Sequence, residues 1–174
     1  GKPLNGHRPT YLILDGQQRL TSLYQAFYGV GDHRYFLDLR SLAGGEQFEN
    51  CIFHRRARDK RAKELQDEDR QACELILPLS VIFGKQGGFD AWRSMVRQLR
   101  QRLAMPEPGA TREQMLERLE EVNRIDGVLG EIQQKWIAAI EDYLFPVVTL
   151  SDATSAEAVC TIFETLNRTG VKLS

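Results

Sequence analysis

The chain has 174 residues and a mass of 19.9 kDa, the size of one ordinary domain, and its 42% hydrophobic and 27% charged residues are the composition of a soluble globular protein. Twenty-three Lys+Arg against 24 Asp+Glu leave a net charge of -1, which excludes a polybasic protein drawn to nucleic acid or membrane by its overall field, though not a local basic groove. The longest apolar stretches, such as 144–150, are too short to span a bilayer, and the first residues lack the apolar core of a signal peptide, so a cytoplasmic chain with no membrane partner is expected.

In chain order, Tyr11-Leu12-Ile13-Leu14 is a continuous apolar run that reads as a buried strand stopping at Asp15-Gly16. An amphipathic helix should follow, with Leu20, Leu23, Tyr24 and Phe27 on its buried face and Gly29 and Gly31 at its end. Tyr35 to Leu39 alternates like a strand, Gly44-Gly45 marks a turn, and Cys51 to Phe53 reads as a further short strand. The segment from Arg55 to Arg70 is almost wholly charged, basic first and acidic after. It is either a solvated helix or mobile loop, or a basic arm whose Arg55, Arg56, Arg58, Lys60 and Arg61 touch a phosphate backbone.

Leu75 to Leu77 with Pro78 looks like a short strand entering a turn. Phe89, Trp92, Val96, Leu99 and Leu103 mark one helix face, and Met105 to Gly109 breaks the chain. Helix returns from about Thr111 to Tyr143, with Met115, Leu119, Val122, Leu129, Trp136 and Ile140 on its apolar side; Gly127 and Gly130 leave one helix or two open. Residues 79–143 therefore read as a helical lobe inserted between strands. Residues 144–150 (LFPVVTL) return to strand character, with Pro146 suggesting an edge. Thr154 and Glu157 form a capping-box pattern for a last helix, whose buried face would be Ala156, Val159, Phe163 and Leu166.

Cys51, Cys73 and Cys160 are widely spaced and make no CxxC pair, so neither a disulfide framework nor a zinc site is expected, and all three read as buried or half-buried thiols. His7, His33 and His54 lack metal-ligand spacing and read as surface or loop residues.

The chemistry concentrates at Asp15-Gly16-Gln17-Gln18-Arg19, where a strand gives way to a helix. Backbone N–H groups at a helix N-terminus bind anions, glycine allows close approach, and arginine offers a charged planar fork for phosphate oxygens. Asp15 could orient a donor, hold a metal-bound water or act as a base; equally, it could be only an N-cap, with the following side chains an exposed first turn. Asn167-Arg168-Thr169-Gly170 is a second cluster, which suits either a ligand edge or a helix C-cap.

Together, LILDGQQRLTSLY and FETLNRTGVKLS resemble the two signature segments of the DGQQR domain of GmrSD-type, modification-dependent restriction enzymes, with Phe163, Leu166, Asn167 and Gly170 matching the second motif. The resemblance implies an α+β fold, a small mixed β-sheet with flanking helices of the ParB/sulfiredoxin-like type. It further implies a nucleoside triphosphate site, usually with Mg2+, in which Asp15, Gln17, Gln18 and Arg19 support hydrolysis. Gly16, Thr21, Asn167, Arg168, Thr169 and Gly170 would hold the nucleotide, and Asp15 and Asn167 the metal. The implied partners are DNA, modified or not, and a nuclease domain or subunit of HNH type, with self-association open. Members usually carry a further pocket-forming segment before the first strand, so the 174 residues are expected to be one incomplete domain. Three scattered histidines offer no HNH constellation, so DNA cleavage by this chain is not expected. The expected activity is a nucleotide-hydrolysing regulatory domain of a DNA-targeting defence system; the alternative is a nucleotide-switched DNA-binding module without turnover. Sulfiredoxin-like redox chemistry would need a cysteine where Gln17 or Gln18 stands.

Overall fold

In the computed structural model, residues 13, 16–84, 87–105, 111–151 and 153–168 are described. The chain divides into two compact units, one of residues 22–143 and one of residues 1–21 with 144–174.

The larger unit is built on a three-stranded antiparallel sheet. Helix α1 (Gln17–Tyr28) leads through a glycine-rich turn to β1 (His33–Asp38). After two short helices, α2 (Leu39–Ala43) and α3 (Phe48–Cys51), comes β2 (Ile52–Arg56). The charged segment folds as α4 (Lys60–Glu64) and α5 (Glu68–Glu74) and delivers β3 (Ile76–Pro78). The strand order is β2-β1-β3, with Tyr35 opposite His54, Phe36 opposite both Phe53 and Pro78, and Leu37 opposite Ile52 and Leu77.

Alternation along β1 sends its side chains to two different cores. Leu37 and Leu77 enter the main core with residues of α5 and of the long helices α6 (Gly88–Leu103) and α7 (Arg112–Ile132): Ala72, Phe89, Trp92, Val96, Ile125 and Leu129. On the other face, fully buried Phe36 packs with Leu65, Ile76 and half-buried Phe53 in a small second cluster. The only buried polar side chain among the described residues is Gln71, which accepts from Trp92 Nε1 at 2.8 Å and donates to the Leu65 carbonyl at 3.0 Å. Helices α6 and α7 thus share the core of the sheet.

Several expectations are met and others corrected. Gly29, at φ 61°, closes α1 in the left-handed conformation that a side chain disfavours. Residues 112–141 form one continuous helical run, not two helices: Thr111 and Gln114 make a reciprocal capping box at its start, and a wide π turn over Gln133–Ile137 passes into α8 (Ala138–Glu141). Gly130 lies where the Arg93 guanidinium crosses from α6; a Cβ there would come within 3.1 Å of it. The glycine is therefore a packing requirement and no helix stop. Leu20, Tyr24, Leu103, Met115 and Leu119 are exposed, because the cores are filled from other positions of their helices.

In the smaller unit, 144–150 forms no ladder, contrary to the strand expectation; Pro146 lacks an N–H, and no described strand pairs with the segment. Helix α9 (Ala156–Arg168) is capped by Ser155, whose hydroxyl accepts from Ala158 N at 3.2 Å, and not by Thr154. No described side chain of α9 is buried. Ile13, half exposed, is the one described residue of the expected first strand and belongs to no ladder. Cys51 is buried, whereas Cys73 and Cys160 are exposed. No described helix is long and apolar enough to cross a membrane.

Candidate functional site

At the start of α1 the backbone is set by Gly16. Its φ of 80° lies in the left-handed region, and its carbonyl accepts the first helical bond, from Leu20 N at 2.9 Å. Gly16 therefore occupies the cap position, while Asp15 lies outside the described residues. By helix geometry, the N–H groups just after the cap have no intrahelical carbonyl to bond.

Three side chains shape this turn. Gln17 donates Nε2 back to the Ile13 carbonyl, which ties the incoming chain to the helix. Thr21 donates its hydroxyl to the Gln17 carbonyl at 2.7 Å, so it supports the turn from below. Arg19 folds back over Gly16: a Cβ on that residue would sit 3.8 Å from the guanidinium. Gln17, Gln18 and Arg19 are all exposed. The arrangement sets a planar cation and helix N–H groups beside one residue without a side chain, a set of donors suited to an oxyanion.

The second cluster is less defined. Asn167 and Arg168 fall in the last turn of α9, and Thr169 and Gly170 lie outside the described residues. Among the described residues no group of three His, Cys, Asp or Glu side chains could hold a metal.

The basic segment resolves into residues of two kinds. Arg61 is held by Glu74 through both carboxylate oxygens and by Glu64 at 3.5 Å, and the Glu74 bond raises its pKa further. Lys60 lies 3.7 Å from Glu64. These two charges are balanced within the helices. Arg55 and Arg56 on β2, and Arg58 in the turn after it, are exposed, with no carboxylate at ion-pair distance among the described residues.

Strand register adds residues that the sequence did not single out. Arg34 stands directly opposite Arg55, and His33 opposite Arg56. The His33 and His54 rings meet edge to face at 5.1 Å. Like charges opposite one another weaken a sheet, so this end of the hairpin is built against its own stability. The only available signal was a lone Arg34 at the start of a strand whose partner could not be read.

A model of the GmrSD restriction endonuclease N-terminal domain matches residues 2–174. An uncharacterized protein of Methanocaldococcus jannaschii is 25% identical over 183 residues, covering 96% of this chain. The chain spans about a quarter (26%) of the length of that relative. No solved structure matches the chain.

Proposed function

The chain belongs to the family of GmrSD restriction endonuclease N-terminal domains, and from that premise we propose that it binds and hydrolyses a nucleoside triphosphate at the Gly16 turn to control a DNA-cleaving partner of HNH type. The observation that carries this reading is the Arg19 guanidinium folded over a left-handed Gly16 at a helix N-terminus. A phosphate group seated there would meet backbone N–H donors and a charged fork together.

In this reading Arg19 neutralises charge that grows on the transferred phosphoryl oxygens, while Gln18 and Asp15 orient the attacking water. Gln17 positions the turn through its bond to Ile13. Mg2+ is commonly held by one or two protein oxygens plus phosphate oxygens, which does not require a three-ligand protein cluster. Asp15 and Asn167 would supply those oxygens, and the ion would offset phosphate charge. Asn167, Arg168, Thr169 and Gly170 would approach the nucleotide from the second motif.

The test is nucleotide binding by calorimetry and phosphate release, with Mg2+ and each common triphosphate, for the chain and for Arg19→Ala. Binding should be lost in the variant at unchanged thermal stability; equal affinity in both proteins would refute the assignment. A second reading, a nucleotide-switched DNA-binding module without turnover, is favoured by Arg55, Arg56 and Arg58, which have no carboxylate at ion-pair distance among the described residues. Binding without phosphate release, together with a DNA affinity falling steeply with salt, would select it.

A further inference from the structure

One face of the sheet carries a cavity of about 320 Å3 beside Phe53, lined by Arg40, Arg55, Arg61, Asp38, Glu74 and Ile76. Three guanidiniums thus meet two carboxylates, and both carboxylates are already engaged. Asp38 caps α2, accepting from the backbone N–H groups of Arg40 and Ser41, each at 3.0 Å, and from the Ser41 hydroxyl at 2.9 Å. Glu74 is bound to Arg61 and lies 3.9 Å from Arg70.

Two cations are left over. Arg40 donates one Nη to the Cys73 carbonyl at 3.0 Å, and Arg55 donates one Nη to the His54 carbonyl at 3.2 Å. A guanidinium has five N–H donors, so each retains most of its capacity. Neither has a carboxylate at ion-pair distance among the described residues. Both are also crowded by like charge. Arg100 joins Arg40 on the Cys73 carbonyl, at 3.1 Å, and Arg34 stands opposite Arg55 in the ladder. Burial, with the charge of Arg40 adding to it, pushes the Arg100 pKa down.

An aromatic surface completes the cavity. The Phe53 ring is half-buried, stacks on Phe36 at 5.4 Å between centroids, and carries the Arg55 guanidinium 5.5 Å from its own centroid. The ring thereby helps hold Arg55 at the cavity wall, where its remaining N–H donors suit phosphate oxygens.

We infer that this cavity is a phosphodiester-binding pocket in which Arg40 and Arg55 grip the backbone of a DNA strand and Phe53 backs the Arg55 guanidinium. Arg34, opposite Arg55 and on the same face of the sheet, also has no carboxylate at ion-pair distance among the described residues and extends the cationic surface past the cavity, which an extended polyanion can follow. The inference rests on reading the basic segment as a DNA contact. It assigns Arg40, Arg34 and Phe53 to that contact and leaves Arg61 as a braced wall of the pocket.

The experiment is fluorescence anisotropy of a labelled 20-nucleotide single strand and its duplex, titrated with the chain from low to physiological salt. Arg55→Ala and Arg40→Ala should each weaken binding, about tenfold or more for the double variant. The slope of log affinity against log salt should become shallower by about one to two. Arg118→Ala, exposed on α7, should change neither. Wild-type binding that the double variant reproduces would overturn the pocket and leave the DNA reading standing on other residues. No oligonucleotide binding even at low salt would overturn both. Inorganic phosphate or a free triphosphate bound by the wild type and lost in the double variant, without oligonucleotide binding, would overturn the DNA assignment in favour of a small-anion pocket.

Discussion

Replacing Asp126 with asparagine removes one charge from the clamp between α6 and α7 while keeping its size. Arg93 donates Nε to Asp126 Oδ1 at 2.8 Å and Nη2 to Oδ2 at 3.0 Å, and reaches the Asp126 carbonyl at 2.9 Å and Gln133 Oε1 at 3.2 Å. The two side chains of the pair are 28% and 20% exposed, so solvent screens them only partly. Asparagine keeps one acceptor oxygen, so the loss is one charge-assisted bond and the weakening of a second, about 2 kcal/mol in all. The Arg93 bond, aided by the charges of Arg93 and Arg97 and opposed by burial, holds the Asp126 carboxyl below the usual aspartate range. A carboxyl whose pKa is depressed on folding contributes stability that is complete above its unfolded value, near 3.9, and is lost as pH falls through the lower native value. Urea unfolding followed by circular dichroism should therefore show Asp126→Asn less stable by about 2 kcal/mol at pH 7, with the difference closing as the solution is acidified below pH 4. A difference under about 0.5 kcal/mol at pH 7, or one that stays constant down to pH 2, would refute the reasoning.

Gly16→Ala should cost about 1–2 kcal/mol from the left-handed backbone alone, since the added Cβ meets the Arg19 guanidinium only at ordinary contact distance; thermal melts check this, and a Gly16→Val variant should lose more. Trp92→Phe leaves the buried Gln71 carbonyl oxygen without its donor and should destabilise by about 1–3 kcal/mol in urea titrations, a loss that a Gln71→Leu change in the same chain should partly reverse. Of the three thiols, Cys73 and Cys160 are exposed and should react with a disulfide reagent at once at pH 8. Cys51, whose pKa burial and the charges of Asp38 and Glu46 raise, should react only on unfolding.

The parts of the fold that depend on local pattern were legible in the sequence. Phe89, Trp92 and Val96 recur at helical spacing and are buried together, and Leu75 to Pro78 contains the short strand β3. Pairing was not legible. Residues 144–150 have strand composition yet no described ladder partner, and a strand exists only through its neighbour. Thr154 and Ser155 both fit an N-cap by residue type, and only the entry angle of the chain selects Ser155. In the candidate site, Gly16 and Arg19 were marked by motif and chemistry. Arg34 and Arg40 could be found only once register and the end of α5 had brought them beside Arg55 and Cys73.

The wide turn over Gln133–Ile137 sets the angular phase of everything that follows it in the helix. An α-helix advances about 100° per residue, so one extra residue in a regular helix would rotate the downstream side chains by that amount, and the wide turn absorbs it instead. Trp136 is thereby laid flat on Phe48, with centroids 4.7 Å apart and planes 12° from parallel, while Ile137 stays fully buried. Deleting Gln134 would remove the surplus residue and restore an uninterrupted ladder while leaving Ala138–Glu141 in the phase they already hold. The length of this helix and the compass bearing of its last turn are therefore separate quantities, and the wide turn lets the first change by one residue without altering the second.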